Sequence, residues 1–208
     1  MQELALTCFE NLLNGSGEEK MELSQIVEIN PNRKAEKGKK YRFISMSNLS
    51  TQSLFPISWE YEELKGGTRF INGDTLLARI TPCLENGKAA FINFLDEDEI
   101  AFGSTEYMVF HPRNLDYPPE FFACLIKNKD FINYAIRTMT GTSGRQRINS
   151  LALMQYLLPI PNKSSLKIFS KIVQTLFNKI RTNEYEIKRL ISLKSSLLPK
   201  LLSGEIEL

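Results

Sequence analysis

Apolar and polar residues alternate in short bursts along the first half of the chain and in longer helical periods along the second. Residues 25–29 (Gln25-Ile26-Val27-Glu28-Ile29) stop at Asn30-Pro31, and residues 41–46 follow a basic segment at 33–40. Residues 75–80 follow Asn72-Gly73-Asp74, residues 88–94 follow Asn86-Gly87, and residues 107–110 follow Gly103-Ser104. Short apolar runs bounded by Gly, Asn and Pro are the pattern of strands joined by tight turns. They predict a small, irregular β domain starting near Met21 and reaching about Pro112.

Helical spacing appears on both sides of it. Leu4, Leu6, Phe9, Leu12 and Leu13 predict a short helix over 3–13, stopped by Asn14-Gly15-Ser16-Gly17. Pro118-Pro119 opens another, because proline suits a first turn whose N–H groups have no partner inside the helix. Phe122, Leu125, Ile126, Phe131, Ile132, Ala135, Ile136 and Met139 would be its buried face. A polar loop follows, then an apolar run over 151–158 that ends at Pro159-Ile160-Pro161.

The last segment carries the clearest period. Residues 164–198 contain no Pro and no Gly, and Pro199 with Ser203-Gly204 is expected to end the helix. Phe169, Val173, Leu176, Ile180, Asn183, Ile187, Leu190, Lys194, Leu197 and Leu201 step by four and three throughout, a heptad register with Asn183 and Lys194 as its polar members. Thirty-five residues make a rod of about 50 Å. Either the stripe packs on the chain's own body or it pairs with another helix. The length favours a partner, and Asn183 would fix register in such a pair. The expected architecture is α+β. A short helix and linker (1–19) precede a β-rich domain with packed helices (20–161), and a long coiled-coil helix (162–208) completes the chain. On this reading, deleting 164–208 should leave a soluble monomer.

Composition narrows the class. Of 208 residues, 42% are hydrophobic and 24% charged, which suits a globular chain and excludes disorder and disulfide miniproteins. No apolar run approaches the ~18 residues of a membrane span. Cys8, Cys83 and Cys124 are scattered, as expected of free thiols in a reducing cytoplasm. The net charge of +2 conceals an asymmetry: residues 141–208 hold 11 Lys/Arg against 4 Asp/Glu, whereas residues 1–140 hold 15 against 20. A basic final third suits either a nucleic-acid face or a solvated helix side.

Enzyme signatures are scarce. His111 is the single histidine, no Cys/His ligands recur at the short spacing of a zinc cluster, and no Gly-x-Ser-x-Gly elbow accompanies it. The glycine-rich stretch at 141–147 is not followed by the Gly-Lys-Ser/Thr of a phosphate-binding loop. Glu18-Glu19-Lys20 and Glu186-Ile187-Lys188 lack the upstream Asp and the geometry of a metal-dependent nuclease. Tyr117-Pro118-Pro119-Glu120 lacks the flanking residues of an amino-methyltransferase loop.

Binding groups are better represented. Gly141, Thr142, Ser143, Gly144, Arg145, Gln146 and Arg147 combine forks that match guanine and adenine edges with hydroxyls and glycine N–H groups that suit phosphates. The same loop would equally suit a solvated connection between helices. Lys39, Lys40 and Arg42 in the basic segment, and Asn86 and Lys88 in a turn, are further candidates for DNA contact.

Several segments in order carry a resemblance. They are Glu28-Ile29-Asn30-Pro31, residues 41–49, Gly73-Asp74-Thr75-Leu76-Leu77-Ala78-Arg79-Ile80-Thr81, Gly103-Ser104-Thr105-Glu106-Tyr107, residues 141–148, Pro159-Ile160-Pro161, and Leu197-Leu198-Pro199-Lys200-Leu201-Leu202-Ser203-Gly204. Together, over nearly the whole chain, these resemble the specificity subunit of type I restriction–modification enzymes. The resemblance implies a target-recognition domain followed by a long conserved helix, in a single unit where the usual subunit has two. It implies a subunit that performs no chemistry. Such a subunit binds duplex DNA and docks methyltransferase subunits, which use S-adenosylmethionine, and restriction subunits, which use ATP and Mg²⁺. It also implies pairing of long helices, hence a homodimer here. The alternatives are a coiled-coil scaffold whose β domain binds protein and an enzyme using His111.

Overall fold

The computed structural model describes residues 1–114, 116–142 and 144–203. Two four-stranded sheets form its centre. The first has β2 (Val27–Ile29), β9 (Tyr107–Pro112), β6 (Thr75–Ala78) and β7 (Ala89–Phe91) side by side in that order, all antiparallel. The second has β4 (Glu60–Glu63), β3 (Lys40–Ile44), β8 (Ala101–Gly103) and β5 (Thr68–Phe70), with β3 and β8 parallel. Two short pairs complete the strands. β1 (Lys20–Glu22) joins β12 (Leu157–Pro159), and β10 (Met139–Thr140) joins β11 (Arg147–Ile148).

The first sheet is buried on both faces, and the strand period shows how. Met108 and Phe110 of β9 face one hydrophobic cluster with Leu77 and Phe91, while Tyr107 and Val109 face another with Leu76 and Ala90. The second cluster fills the space between the sheets with Ile44, Phe70 and Ala101. A strand wetted on neither side reads as a continuous apolar run, which is why residues 107–110 lack alternation. Glycine is required at Gly103, where a Cβ would collide with the Ile44 carbonyl and the Tyr107 ring.

Helices cover the other face. α1 (Gln2–Asn14) buries Ala5, Phe9 and Leu12, while Leu4 points to solvent. α1 and α2 (Pro119–Leu125) both pack on α5 (Lys163–Leu202), and α2 also packs on the sheet. The helix expected to run on from Pro118-Pro119 is two helices. Asn128 breaks it, and its side-chain oxygen accepts from the Phe131 N–H to start α3 (Lys129–Arg137). The apolar run at 151–158 likewise divides into α4 (Ser150–Met154), capped by Asn149, and strand β12. Among the described residues no helix is long and apolar enough to cross a membrane.

α5 spans 40 residues, about 60 Å at 1.5 Å per residue. It runs through Pro199 instead of stopping there. That proline lacks the N–H that would have bonded four residues back, so the last turns of α5 run on without that bond. The helix ends at Leu202 with Ser203 as its C-cap, at the expected Ser203-Gly204 stop, of which Gly204 lies outside the described residues. The heptad stripe serves two environments. Phe169 and Val173 of the stripe are buried in the main cluster together with Leu166 and Phe177, which the stripe did not include, with Phe177 5.2 Å from Phe91 and 5.6 Å from Phe55 between ring centres. Leu176 and Ile180 are partly buried against the same cluster, and Asn183 is half-buried. Ile187, Leu190, Lys194, Leu197 and Leu201 are exposed. The first half of the helix is therefore part of the body's core. A cut at Lys163 would remove Phe169, Val173 and Phe177 from it.

Candidate nucleic-acid interface

The polar loop is the tip of a hairpin whose two legs are β10 and β11. Gly141 adopts φ +125°, and a Cβ there would sit 2.9 Å from the Arg145 carbonyl oxygen, so the tip closes only around glycine. The Arg145 N–H donates to the Thr142 carbonyl at 3.0 Å and tightens the turn. Ser143 lies outside the described residues. Thr142, Gly144 and Arg145 are exposed, Gln146 and Arg147 half-buried.

The hairpin is docked along the extension of β6. Thr81 N–H donates to the Gln146 carbonyl, the Gln146 N–H to the Thr81 hydroxyl, and the Ile148 N–H to the Arg79 carbonyl. Arg147 bridges to Ile80 in the manner of a further strand residue. This pairing fixes the Gln146 backbone, and its side chain has no hydrogen-bond partner among the described residues.

Arg147 is engaged on a second account. Its Nε and Nη2 form a two-pronged contact with Glu106, at 2.9 Å to Oε2 and 2.6 Å to Oε1. Arg79 Nε reaches the same carboxylate at 3.3 Å. The Arg147 hydrogen bond, with Arg79 adding to it, holds the Glu106 carboxyl below the usual carboxylate range despite partial burial. Sequence reasoning placed Arg79 and Glu106 in familiar segments but did not nominate them as site residues. No local pattern links residues 41 positions apart.

The turn with Asn86 and Lys88 adjoins the hairpin through Thr81. Asn86 is exposed, but the Lys88 ammonium donates to the Met46 carbonyl at 2.8 Å, and Lys127 donates to the Gly87 carbonyl at 2.9 Å. Burial pushes the Lys127 pKa down.

Lys39, Lys40 and Arg42 lie elsewhere. Ile44 at the end of β3 pairs with Gly103, near the hairpin, so Lys40 at its start is four residues, roughly 13 Å, further away. Arg42 is tied to the fold, 2.8 Å from Asp96, 2.9 Å from Glu99 and 4.6 Å from the centre of the Trp59 ring. Lys39 pairs with Glu36 at 2.7 Å, and Lys40 sits opposite Glu63 on the exposed, acidic strand β4. The structure thus sets the two nominated basic groups at opposite ends of the strands.

His111 has a structural setting. Its Nδ1 lies 2.7 Å from the fully buried Asp74 carboxylate, which Arg33 also binds at 3.0 Å and the Ile71 N–H at 2.8 Å. No hydroxyl or thiol is among its described partners. Among the described residues no group of three or more His, Cys, Asp or Glu is arranged to hold a metal, and the three cysteines are unpaired.

Residues 16–193 match the family model described as the type I restriction modification DNA specificity domain. The chain is 33% identical over 146 residues to the type I restriction enzyme EcoAI specificity subunit of Escherichia coli, covering 67% of this chain and 24% of that protein. It is 31% identical over 166 residues to the EcoEI specificity subunit of the same organism, covering 76% and 28% respectively. It therefore spans about a quarter of the length of these curated relatives. The fold is similar to the type I restriction–modification S subunit from M. genitalium, with a TM-score of 0.60, 14% identity, and coverage of 96% of this chain and 53% of that one. The chain belongs to the type I restriction modification DNA specificity family.

Proposed function

We propose that this chain is a DNA-recognition unit that performs no chemistry itself, and that the hairpin around Arg145 and Gln146 meets base edges of duplex DNA. The observation that carries the reading is the geometry of that hairpin. Its backbone is clamped to residues 79–81, while neither the exposed Arg145 nor the half-buried Gln146 has a side-chain hydrogen-bond partner among the described residues. An arginine fork fits guanine O6/N7 and a glutamine amide fits adenine N6/N7. Thr142, Gly144 and Asn86 stand beside them for phosphate contact. Lys88 and Arg42 spend their charge inside the protein, so their share in DNA binding is smaller than the sequence suggests.

Two such units join through the exposed part of α5, from Ile187 to Leu201, with Asn183 at the inner margin of the contact. The assembled units dock methyltransferase subunits that bring S-adenosylmethionine and restriction subunits that bring ATP and Mg²⁺. In this reading residues 20–161 serve recognition and 162–208 spacing, although the first turns of α5 belong to the body's core.

The test is binding of a fluorescent mixed-sequence 40-base-pair duplex by the full chain across a salt series. Affinity that falls linearly in log salt is expected. The competing reading, a scaffold that binds protein, is favoured by the acidic edge strand β4 with its exposed Tyr61. It predicts no salt-dependent duplex binding at all.

A further inference from the structure

Arg147 cannot read a base with a fork that Glu106 already fills, and Arg79 shares the same carboxylate. We propose that Arg79, Glu106 and Arg147 form a preset phosphate clamp, in which Glu106 is a positioning residue and the remaining guanidinium N–H groups take one backbone phosphate of duplex DNA. This rests on the DNA reading above and specifies how the hairpin acquires its register.

Donor geometry supports it. A guanidinium has five N–H donors in a fixed plane. Arg147 commits Nε and Nη2 to Glu106, leaving Nη1, and Arg79 commits only Nε, leaving both terminal nitrogens without a partner among the described residues. Two guanidinium groups and one carboxylate leave a net positive charge. The site is also open: 34% of the Arg79 side chain and 43% of the Arg147 side chain are exposed, against 23% for Glu106.

The clamp is rigid before any ligand arrives. The Glu106 N–H donates to the Ser104 hydroxyl, the Glu106 carbonyl accepts from the Arg79 N–H at 3.0 Å, and the next residue, Tyr107, is buried. The Arg147 backbone is held against Ile80, and its neighbour Gln146 against Thr81. A phosphate seated on these two arginines would therefore fix the distance from the DNA backbone to Arg145 and Gln146, which immediately precede Arg147 at the hairpin tip. Phosphate contacts commonly set register in this way while base contacts set sequence.

A plain structural tie makes the opposite predictions, so the two separate cleanly. The probe is a mixed-sequence 40-base-pair duplex, followed by fluorescence anisotropy from low to moderate salt, with thermal unfolding recorded for every variant. Arg79→Ala should lower the log K against log salt slope by about 0.9, one phosphate contact, and leave the unfolding temperature within a few degrees of the parent. Arg79→Lys should restore the slope, because lysine serves a phosphate as a point charge. Glu106→Gln removes a negative charge beside the phosphate while keeping an acceptor for both arginines. It should tighten low-salt binding by roughly threefold or more, while selection of one sequence from a randomised pool broadens. An unchanged slope in Arg79→Ala, or weaker low-salt binding in Glu106→Gln, with the parent still binding DNA, overturns the clamp and leaves the DNA reading standing. A parent that binds no duplex at all overturns both.

Discussion

At the scale of single residues, the proposed DNA reading rests on side chains that make no other described contact. Arg145 has no side-chain partner among the described residues, whereas Arg147, Arg42 and Lys88 each have one. Arg145→Ala should thus cost about 1–3 kcal/mol of base discrimination at one position per recognition unit. Sequencing the duplexes bound from a randomised pool would reveal it as one position losing its preference, while uniform weakening at every position would mark a phosphate contact instead. Glu106 supplies a pH signature. Its carboxyl is depressed in the folded protein, so its stabilisation is complete above the unfolded glutamate value of about 4.3 and is lost as pH falls through the lower folded value. The stability gap between parent and Glu106→Gln, read from denaturant melts, should be constant from neutral pH down to about 5 and close only in stronger acid. A gap that closes between pH 7 and 5 would contradict the ion triad. The glycine-rich tip was legible in sequence because Gly141 and Gly144 punctuate a polar stretch. The Glu106 contact was not, because an ion pair between distant segments leaves no trace in local spacing.

Among the elements, legibility followed burial pattern. Of the strands read from sequence, β2, β6, β7 and β9 carry apolar residues that face a core, whereas β3 buries only Ile44. β4 was missed because Glu60-Tyr61-Glu62-Glu63 is exposed throughout and so carries no apolar signal. In α5 the heptad register showed a helix and a stripe but could not say which partner each turn meets. The structure divides it between Ile180 and Ile187. Phe177→Ala should therefore destabilise the body by about 3–5 kcal/mol, the cost of emptying a core aromatic site. Leu190→Ala and Leu197→Ala should leave body stability unchanged at protein concentrations where the chain is monomeric, yet weaken self-association. Chemical denaturation and sedimentation report the two quantities separately. Equal destabilisation by all three would mean that the outer half of α5 folds back onto the body. A chain ending after Glu184 should stay folded and monomeric, since it retains Phe169, Val173 and Phe177.

The whole molecule carries the proposed recognition hairpin on the extension of β6 and a long helix whose outer half, from Ile187 to Leu201, is exposed. If two copies pair through that helix with two-fold symmetry, each hairpin reads one half of a target. The DNA must then show the same symmetry, with an unread interval between the halves. The full chain should sediment as a dimer at tens of micromolar, and a monomer at that concentration would remove the symmetric model. The measurement that bears most directly on the central claim is selection of bound duplexes from a randomised pool by the purified full chain, at moderate salt, followed by sequencing. The account predicts enrichment of an interrupted palindrome, with one half-site position relaxed in Arg145→Ala or Gln146→Ala. Bound DNA indistinguishable in sequence from the input pool would contradict it.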